Sequence, residues 1–282
     1  MPIKKALGTL MFLALFSDPF CFSQDSNFHI YLCFGQSNME GAGAIEEIDK
    51  KVPDNFFVLQ GVNCSEPNRK KGSWRAATPP LCQCNTGLSP ADYFGRTMVA
   101  NLPEHIKIGI INVSISGCDI RIFDKDIYTS YDDTHKADWF SNIVKNYGGN
   151  PYKHLIDLTK TAQKDGIVKG FLLHQGESNS GDVQWPNYVH KIYKDLLNDL
   201  SLNSKDVPLL IGEVASENNS CCNSMNSIIN KVPETINNSH VISSRNCTTK
   251  DIAHFNSEGY REIGKRYALK MLDLLNVVNT KN

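Results

Sequence analysis

The 282-residue sequence has no surplus of charge of either sign, since 29 lysines and arginines face 30 aspartates and glutamates. A chain without a basic surplus lacks the charge pattern of a nucleic-acid-binding protein. The sequence also lacks internal repeats, low-complexity tracts and a linker rich in proline or serine. With 41% hydrophobic residues, it is long enough for one large α/β domain or two small ones. We expect one domain and no nucleic-acid partner.

No apolar run is long enough for a membrane-spanning helix. Near the start, however, Lys4 and Lys5 precede an apolar stretch at residues 6–16. This pattern is typical of a signal peptide, and the alternative is a buried N-terminal helix. The small side chains of Cys21 and Ser23, at the −3 and −1 positions, predict cleavage before Gln24. The sequence therefore predicts a signal peptide at residues 1–23, a single domain at residues 24–282, secretion and no membrane partner.

Metal-binding cysteine spacing is also absent. None of the nine cysteines forms a C-x-x-C pair, and the spacing in Cys82-Gln-Cys84 does not suit zinc, so we predict no metal site. Export would permit disulfides, and Cys33, in an apolar strand pattern, is expected to stay a free thiol. The candidate disulfides join Cys64 to Cys82 or Cys84, and Cys221 or Cys222 to Cys247.

Short β-branched runs alternate with longer amphipathic runs along the chain. Strand patterns lie at residues 28–34, 106–113, 168–173 and 207–211, with a weak fifth at residues 241–242. Helical patterns lie at residues 90–102, 151–164, 186–200 and 224–236, followed by a final helix that Asn256 or Ser257 would cap. Strands separated by helices predict a mainly parallel sheet covered on both faces. The active site of such a sheet lies beyond the carboxyl ends of its strands.

Four polar loops follow predicted strands, at residues 35–41, 114–117, 174–179 and 251–256. Together they offer the parts that acyl transfer needs. Ser37, in a tight turn after a strand, is the candidate nucleophile, and His254 is the candidate base. Asp251 lies three residues before His254, so its carboxylate can orient the imidazole. His174 is the alternative base, although its place at a strand end suits a structural hydrogen bond.

The candidate oxyanion hole combines the backbone N–H groups of Ser37 and Gly117 with the side-chain amide of Gln175. A glycine at position 117 would let the substrate approach the backbone closely. Asn38 and Glu40 are expected to brace the turn rather than to react.

Three segments resemble the signature blocks of SGNH hydrolases: GQSNMEG at residues 35–41, HQGESN at residues 174–179, and the Asp251-x-x-His254 pair. The resemblance is greatest to carbohydrate acetylesterases grouped with sialate O-acetylesterase and family 6 acetylxylan esterases. It implies a three-layer α/β/α sandwich of flavodoxin-like type and a Ser37–His254–Asp251 esterase that needs no cofactor. Gln175 replaces the asparagine of the broader SGNH pattern, and Glu177 is an alternative catalytic carboxylate.

An exported member of this group is expected to act on acetylated plant polysaccharide, chiefly xylan. Sialate O-acetyl removal is the alternative. A non-catalytic carbohydrate-binding protein on the same fold is less favoured, because it would be expected to lose the nucleophile or the base. The only three tryptophans, Trp74, Trp139 and Trp185, lie in or beside predicted loops, where they could stack on sugar rings or pack in the core.

Overall fold

A computed structural model describes residues 24–132, 138–217 and 220–277. The predicted signal peptide, residues 1–23, lies outside them. Within the described residues, no helix combines the length and the apolar character needed to cross a membrane.

The core of the molecule is one seven-stranded sheet with the strand order β3-β2-β4-β1-β5-β6-β7. All neighbouring strands pair in parallel except β3, which is antiparallel to β2 at one edge. The strands are β1 (Asp25–Gly35), β2 (Phe56–Leu59), β3 (Trp74–Ala76), β4 (Lys107–Ser114), β5 (Gly166–His174), β6 (Leu209–Gly212) and β7 (Ser239–Ile242). The predicted α/β class with a mainly parallel sheet is confirmed.

Strand β1 lies at the centre and contributes to both cores, because successive side chains of a strand point to opposite faces. Ile30 and Phe34 pack into one apolar cluster, whereas Tyr31 and Cys33 pack into the other. Helices cover both faces, which is why β1 is continuously apolar over residues 30–34 instead of alternating with polar residues.

The helices among the described residues differ greatly in length. They are α1 (Ser37–Glu40), α2 (Glu47–Lys50), α3 (Pro90–Asn101), α4 (Thr129–Asp132), α5 (Asp138–Asn146), α6 (Pro151–Ala162), α7 (Trp185–Asp199), α8 (Asn226–Ile229) and α9 (Ser257–Leu274). Proline opens α3 and α6, where its missing N–H is not needed. The Asn256 side chain caps α9 by accepting from the Gly259 N–H at 2.9 Å, as predicted.

The sequence patterns were wrong in two places. The predicted helix at residues 224–236 is only the single α-helical turn α8 between two 3₁₀ turns, because Pro233 lacks the N–H that would continue it. Strands β2 and β3 were not predicted, since both are short and β3 at the edge is half-exposed and lacks an apolar pattern.

The cysteine predictions are confirmed for one pair and wrong for the other. Cys64 is bonded to Cys84, one of its two candidate partners, and Cys33 is a buried free thiol. Cys221 and Cys222 are bonded to each other rather than to Cys247. The reason is position: Cys247 is a free thiol held in the apolar cluster under α9.

Candidate active site

The nucleophile turn follows the central strand directly. Strand β1 ends at Gly35, where φ is +147° and an added Cβ would lie 2.1 Å from the His174 carbonyl oxygen, so only glycine fits. The chain then turns into the four-residue helix α1, with Ser37 as its first residue. This sharp turn at the carboxyl end of a buried strand places the Ser37 hydroxyl at the edge of the sheet.

The structure brings the three predicted catalytic side chains together. His254 Nε2 lies 2.9 Å from Ser37 Oγ, and His254 Nδ1 lies 2.9 Å and 3.0 Å from the two Asp251 carboxylate oxygens. A serine, an imidazole and a carboxylate in series can activate the hydroxyl as a nucleophile. The His254 side chain is 29% exposed and that of Asp251 44%, so a substrate can reach the site from solvent.

The carboxylate of Asp251 is held in its charged form. Partial burial opposes ionisation, but hydrogen bonds from the backbone N–H groups of Ala253 and His254 and from the His254 ring outweigh it, so the pKa of Asp251 lies below its ordinary value. Both N–H groups donate to Asp251 Oδ1 at 2.8 Å. These bonds fold residues 251–254 into a tight turn, which we call the catalytic loop.

Asn38 joins the nucleophile turn to the catalytic loop, a contact that the sequence analysis did not foresee. Its Nδ2 donates to the Ala253 carbonyl oxygen at 2.9 Å and to Glu177 Oε1 at 2.6 Å. Its Oδ1 accepts from the Tyr260 hydroxyl at 2.6 Å. Asn38 therefore sets the distance between Ser37 and the loop that carries the base, rather than bracing only its own turn.

Glu177, the alternative carboxylate, does not contact the catalytic imidazole within hydrogen-bond distance. Its Oε1 is held by Asn38, and its Oε2 is buried without a hydrogen-bond partner. Burial raises the pKa of Glu177, although the nearby His254 opposes the rise. The geometry therefore assigns the orienting position to Asp251 and leaves Glu177 behind Asn38.

Two of the three predicted oxyanion donors are available. Among the described residues, the backbone N–H groups of Ser37 and Gly117 donate to no protein acceptor. The loop that carries Gly117 is bound to the nucleophile turn, because Ile115 N–H donates to the Gly35 carbonyl oxygen at 3.0 Å. Gly117 has φ of +69°, a conformation that glycine adopts without strain. Both N–H groups can therefore serve a negative oxygen beside Ser37.

The structure does not support the third donor, Gln175. Its buried Nε2 lies 3.0 Å from Gln36 Oε1, 3.1 Å from the Cys118 carbonyl oxygen and 2.7 Å from Asn179 Oδ1. Two amide hydrogens that face three protein acceptors have nothing left for a substrate. Gln175 instead fastens the nucleophile turn to two neighbouring loops, which corrects the sequence-based expectation.

We expect Gln175→Glu to lower the free energy of unfolding by about 2–4 kcal/mol, because it would set a buried oxygen against three acceptors. Urea denaturation measures this loss. A variant of unchanged stability whose kcat falls by about 10²- to 10³-fold would restore Gln175 as a direct oxyanion donor.

Glu40 makes the corresponding link on the other side of the nucleophile turn. Its carboxylate accepts hydrogen bonds from the Ser116 hydroxyl and from Gln83 Nε2, the latter at 3.2 Å. Burial raises the pKa of Glu40 to about 7 in spite of the Ser116 hydrogen bonds. Since Ser116 precedes Gly117, Glu40 helps to hold the loop at residues 114–117, which we call the oxyanion loop, against α1.

The raised pKa of Glu40 predicts a pH-dependent cost in stability. The Glu40 carboxyl has a pKa of 4.5 in the unfolded chain and of about 7 in the folded protein. Between these pH values the folded protein binds more protons than the unfolded chain. Stability therefore falls as the pH rises through this range. Glutamine does not titrate, so Glu40→Gln avoids this cost. We expect the free energy of unfolding of Glu40→Gln, relative to that of the wild type, to be about 1–3 kcal/mol higher at pH 8 than at pH 4.

Urea denaturation at the two pH values checks the Glu40 prediction. Asp92→Asn is the matched control, because burial also raises the pKa of Asp92, in α3, to about 7. This variant is expected to show the same sign without altering catalysis. An equal stability difference at both pH values for Glu40→Gln would contradict the account of Glu40.

His174 is not placed to act as the base. Its ring is completely buried, and burial lowers its pKa to about 3, so the imidazole is neutral. Its Nδ1 lies 3.3 Å from the Tyr267 hydroxyl beneath the sheet edge. The ring thus fills a core position, as the structural interpretation of this histidine predicts.

One cluster of carboxylates lies away from the catalytic site, at Asp124, Asp126 and Asp195. Lys191 Nζ lies 2.7 Å, 2.7 Å and 2.9 Å from an oxygen of each in turn. A lysine ammonium thus occupies the centre, and the cluster is an ion-pair network around α7.

The fold and the site together define a serine carboxylic ester hydrolase of the α/β type. The chain matches the family described as carbohydrate esterase, sialic acid-specific acetylesterase, over residues 27–273. It belongs to this family, and the resemblance drawn from the signature blocks is confirmed.

Solved structures share the fold at low sequence identity. A protein from Arabidopsis thaliana superposes with a TM-score of 0.65 and 18% identity, covering 88% of this chain and 99% of that one. A novel carbohydrate acetylesterase from Xanthomonas citri gives 0.62 and 17%, covering 87% of this chain and 56% of that one. NanS gives 0.64 and 14%, covering 90% and 99%. These likenesses concern the fold alone.

Proposed function

We propose that this protein is an exported acetylesterase that removes acetyl groups from plant polysaccharide, chiefly xylan, through an acyl-enzyme on Ser37. The observation that carries the chemistry is the continuous series from Ser37 Oγ through the His254 ring to Asp251, with 2.9 Å at the first step. The family supplies the acetylated carbohydrate as the substrate class.

The reaction has two steps on the same groups. Ser37 Oγ attacks the acetyl carbonyl carbon while His254 Nε2 takes its proton, and the carbonyl oxygen becomes negative beside the N–H groups of Ser37 and Gly117. Collapse of this intermediate expels the sugar alkoxide, which receives the proton from His254. Water, deprotonated by His254, then attacks the acetyl-serine, and acetate leaves as Ser37 regains its proton.

The charge near the nucleophile turn is compatible with a neutral sugar. Asp251 holds a negative charge beside His254, and Arg121 in a neighbouring loop is paired with Asp119 at 2.6 Å. Xylan carries its acetyl groups on neutral xylose, which brings no second negative charge to Asp251. The family description favours the second candidate, sialate O-acetyl removal.

Export is part of the proposal. The basic and apolar pattern of residues 1–23 supports it, and so does the Cys64–Cys84 disulfide, since such bonds persist in oxidising compartments. Expression of the full chain in a secreting host, followed by N-terminal sequencing, tests it. The proposal predicts a mature protein in the medium that begins at Gln24.

The substrate is tested by measuring acetate release from acetylated xylan and from O-acetyl sialic acid in parallel. We expect a higher kcat/KM on acetylated xylan. Preference for O-acetyl sialic acid would establish the second candidate, and absence of acetate from both substrates and from p-nitrophenyl acetate would reject the esterase mechanism.

A further inference from the structure

One large apolar side chain lies open to solvent beside the oxyanion loop. Trp139, the second residue of α5, is 51% exposed. Its ring atom Cη2 is 3.3 Å from the position that a Cβ on Gly117 would take. The indole therefore lies next to Gly117, whose backbone N–H is a candidate oxyanion donor.

The other two tryptophans have structural partners. Trp185 is fully buried, with its Nε1 donating to Gln175 Oε1. Trp74 packs against Phe28 at 4.7 Å between ring centroids, and its Nε1 donates to Asp165 Oδ2 at 2.9 Å. Trp139 makes an edge contact with Phe140, at 5.8 Å between ring centroids, and it remains 51% exposed to solvent.

We infer that Trp139 is a binding platform for the pyranose ring that carries the acetyl group. The inference rests on the proposed function, since it concerns the same active site. A half-exposed indole leaves about 100 Å² of ring surface open, given about 200 Å² for a whole tryptophan side chain. The acetyl methyl group would cover only about 30 Å² of it. A sugar ring presents a broad apolar face of C–H groups, which matches the larger area.

The platform would act on binding rather than on the bonds that break. Stacking holds the sugar while Ser37 and the N–H of Gly117 act on the ester, so its loss should raise KM for a carbohydrate ester. An ester without a ring does not use the platform. Ethyl acetate is such an ester and retains the same reacting group.

The experiment compares the wild type with Trp139→Ala and Trp139→Phe on acetylated xylo-oligosaccharide and on ethyl acetate. For the alanine variant we expect KM on the oligosaccharide to rise about 10- to 50-fold, from the loss of about 100 Å² of stacking surface. On ethyl acetate we expect a change of less than about twofold, and the phenylalanine variant should lie between. Ile48→Ala, at another highly exposed apolar side chain in α2, should match the wild type.

Binding without turnover gives a second readout. Calorimetric titration of the oligosaccharide into Ser37→Ala should show binding that Ser37→Ala/Trp139→Ala loses.

Two results with Trp139→Ala would overturn the platform. An equal fall in kcat/KM on the oligosaccharide and on ethyl acetate would indicate a structural role for Trp139 instead. An unchanged KM on the oligosaccharide together with a higher kcat/KM on ethyl butyrate would show that Trp139 limits the length of the acyl group, which would also overturn the platform. A wild type inactive on both acetates would instead overturn the esterase function. A wild type active only on ethyl acetate would overturn both the choice of xylan as the substrate and the platform that rests on it.

Discussion

Alanine in place of Ser37 is expected to lower kcat for acetate release by about 10⁴- to 10⁶-fold. The substitution removes Ser37 Oγ, the proposed nucleophile, which lies 2.9 Å from His254 Nε2, so no covalent acetyl-enzyme can form. Binding should persist, because the backbone N–H groups of Ser37 and Gly117 remain. Steady-state kinetics on p-nitrophenyl acetate and on acetylated xylan measure the loss.

The control for this prediction is another serine of the chain. Ser227, in α8, is exposed, and its hydroxyl donates to the Ser224 carbonyl oxygen at 2.8 Å. Ser227→Ala should turn over both substrates at the wild-type rate. Near-normal hydrolysis by Ser37→Ala would remove Ser37 from the mechanism.

Asparagine in place of Asp251 is expected to lower kcat by about 10³- to 10⁴-fold. An asparagine oxygen can still accept the two backbone N–H bonds that shape the catalytic loop. Its neutral amide cannot stabilise the imidazolium that forms during attack, and its N–H group would favour the wrong His254 tautomer. The loss should therefore appear in kcat while the melting temperature changes little.

The matched comparison is Glu177→Gln, which removes the charge of the other carboxyl group near His254. A glutamine oxygen can still accept from Asn38, so we expect kcat to fall by less than about tenfold. The two variants are measured on p-nitrophenyl acetate at one pH. A larger loss in Glu177→Gln than in Asp251→Asn would reverse the assignment of the orienting carboxylate.

Much of the fold was predictable because its signals are local. Strand β1 shows an apolar run of strand length, and α9 repeats its apolar residues every three to four positions after the Asn256 cap. These patterns give the class of the sheet. They do not give β2 or β3, whose few residues form a sheet edge only by pairing with β4 and with each other.

The candidate site was predictable in its chemistry but not in its supporting contacts. The positions of Ser37, Gly117, Asp251 and His254 follow from strand ends and spacing, whereas the bond between Asn38 and Ala253 joins residues 215 apart. That bond brings the catalytic loop, which follows the edge strand β7, back to the centre of the sheet. Gln175 was misassigned for the same reason, since two of its three acceptors, Gln36 and Cys118, lie 139 and 57 residues away in the sequence.

The central claim is that Ser37, activated by His254, forms the covalent intermediate. Labelling with a serine-directed fluorophosphonate, followed by peptide mass spectrometry, tests it most directly. The account predicts one adduct, on Ser37, formed in step with loss of activity and at least about 10³-fold more slowly in His254→Ala. An inactivated protein whose adduct lies on another serine, or a Ser37 adduct that leaves acetate release intact, would contradict it.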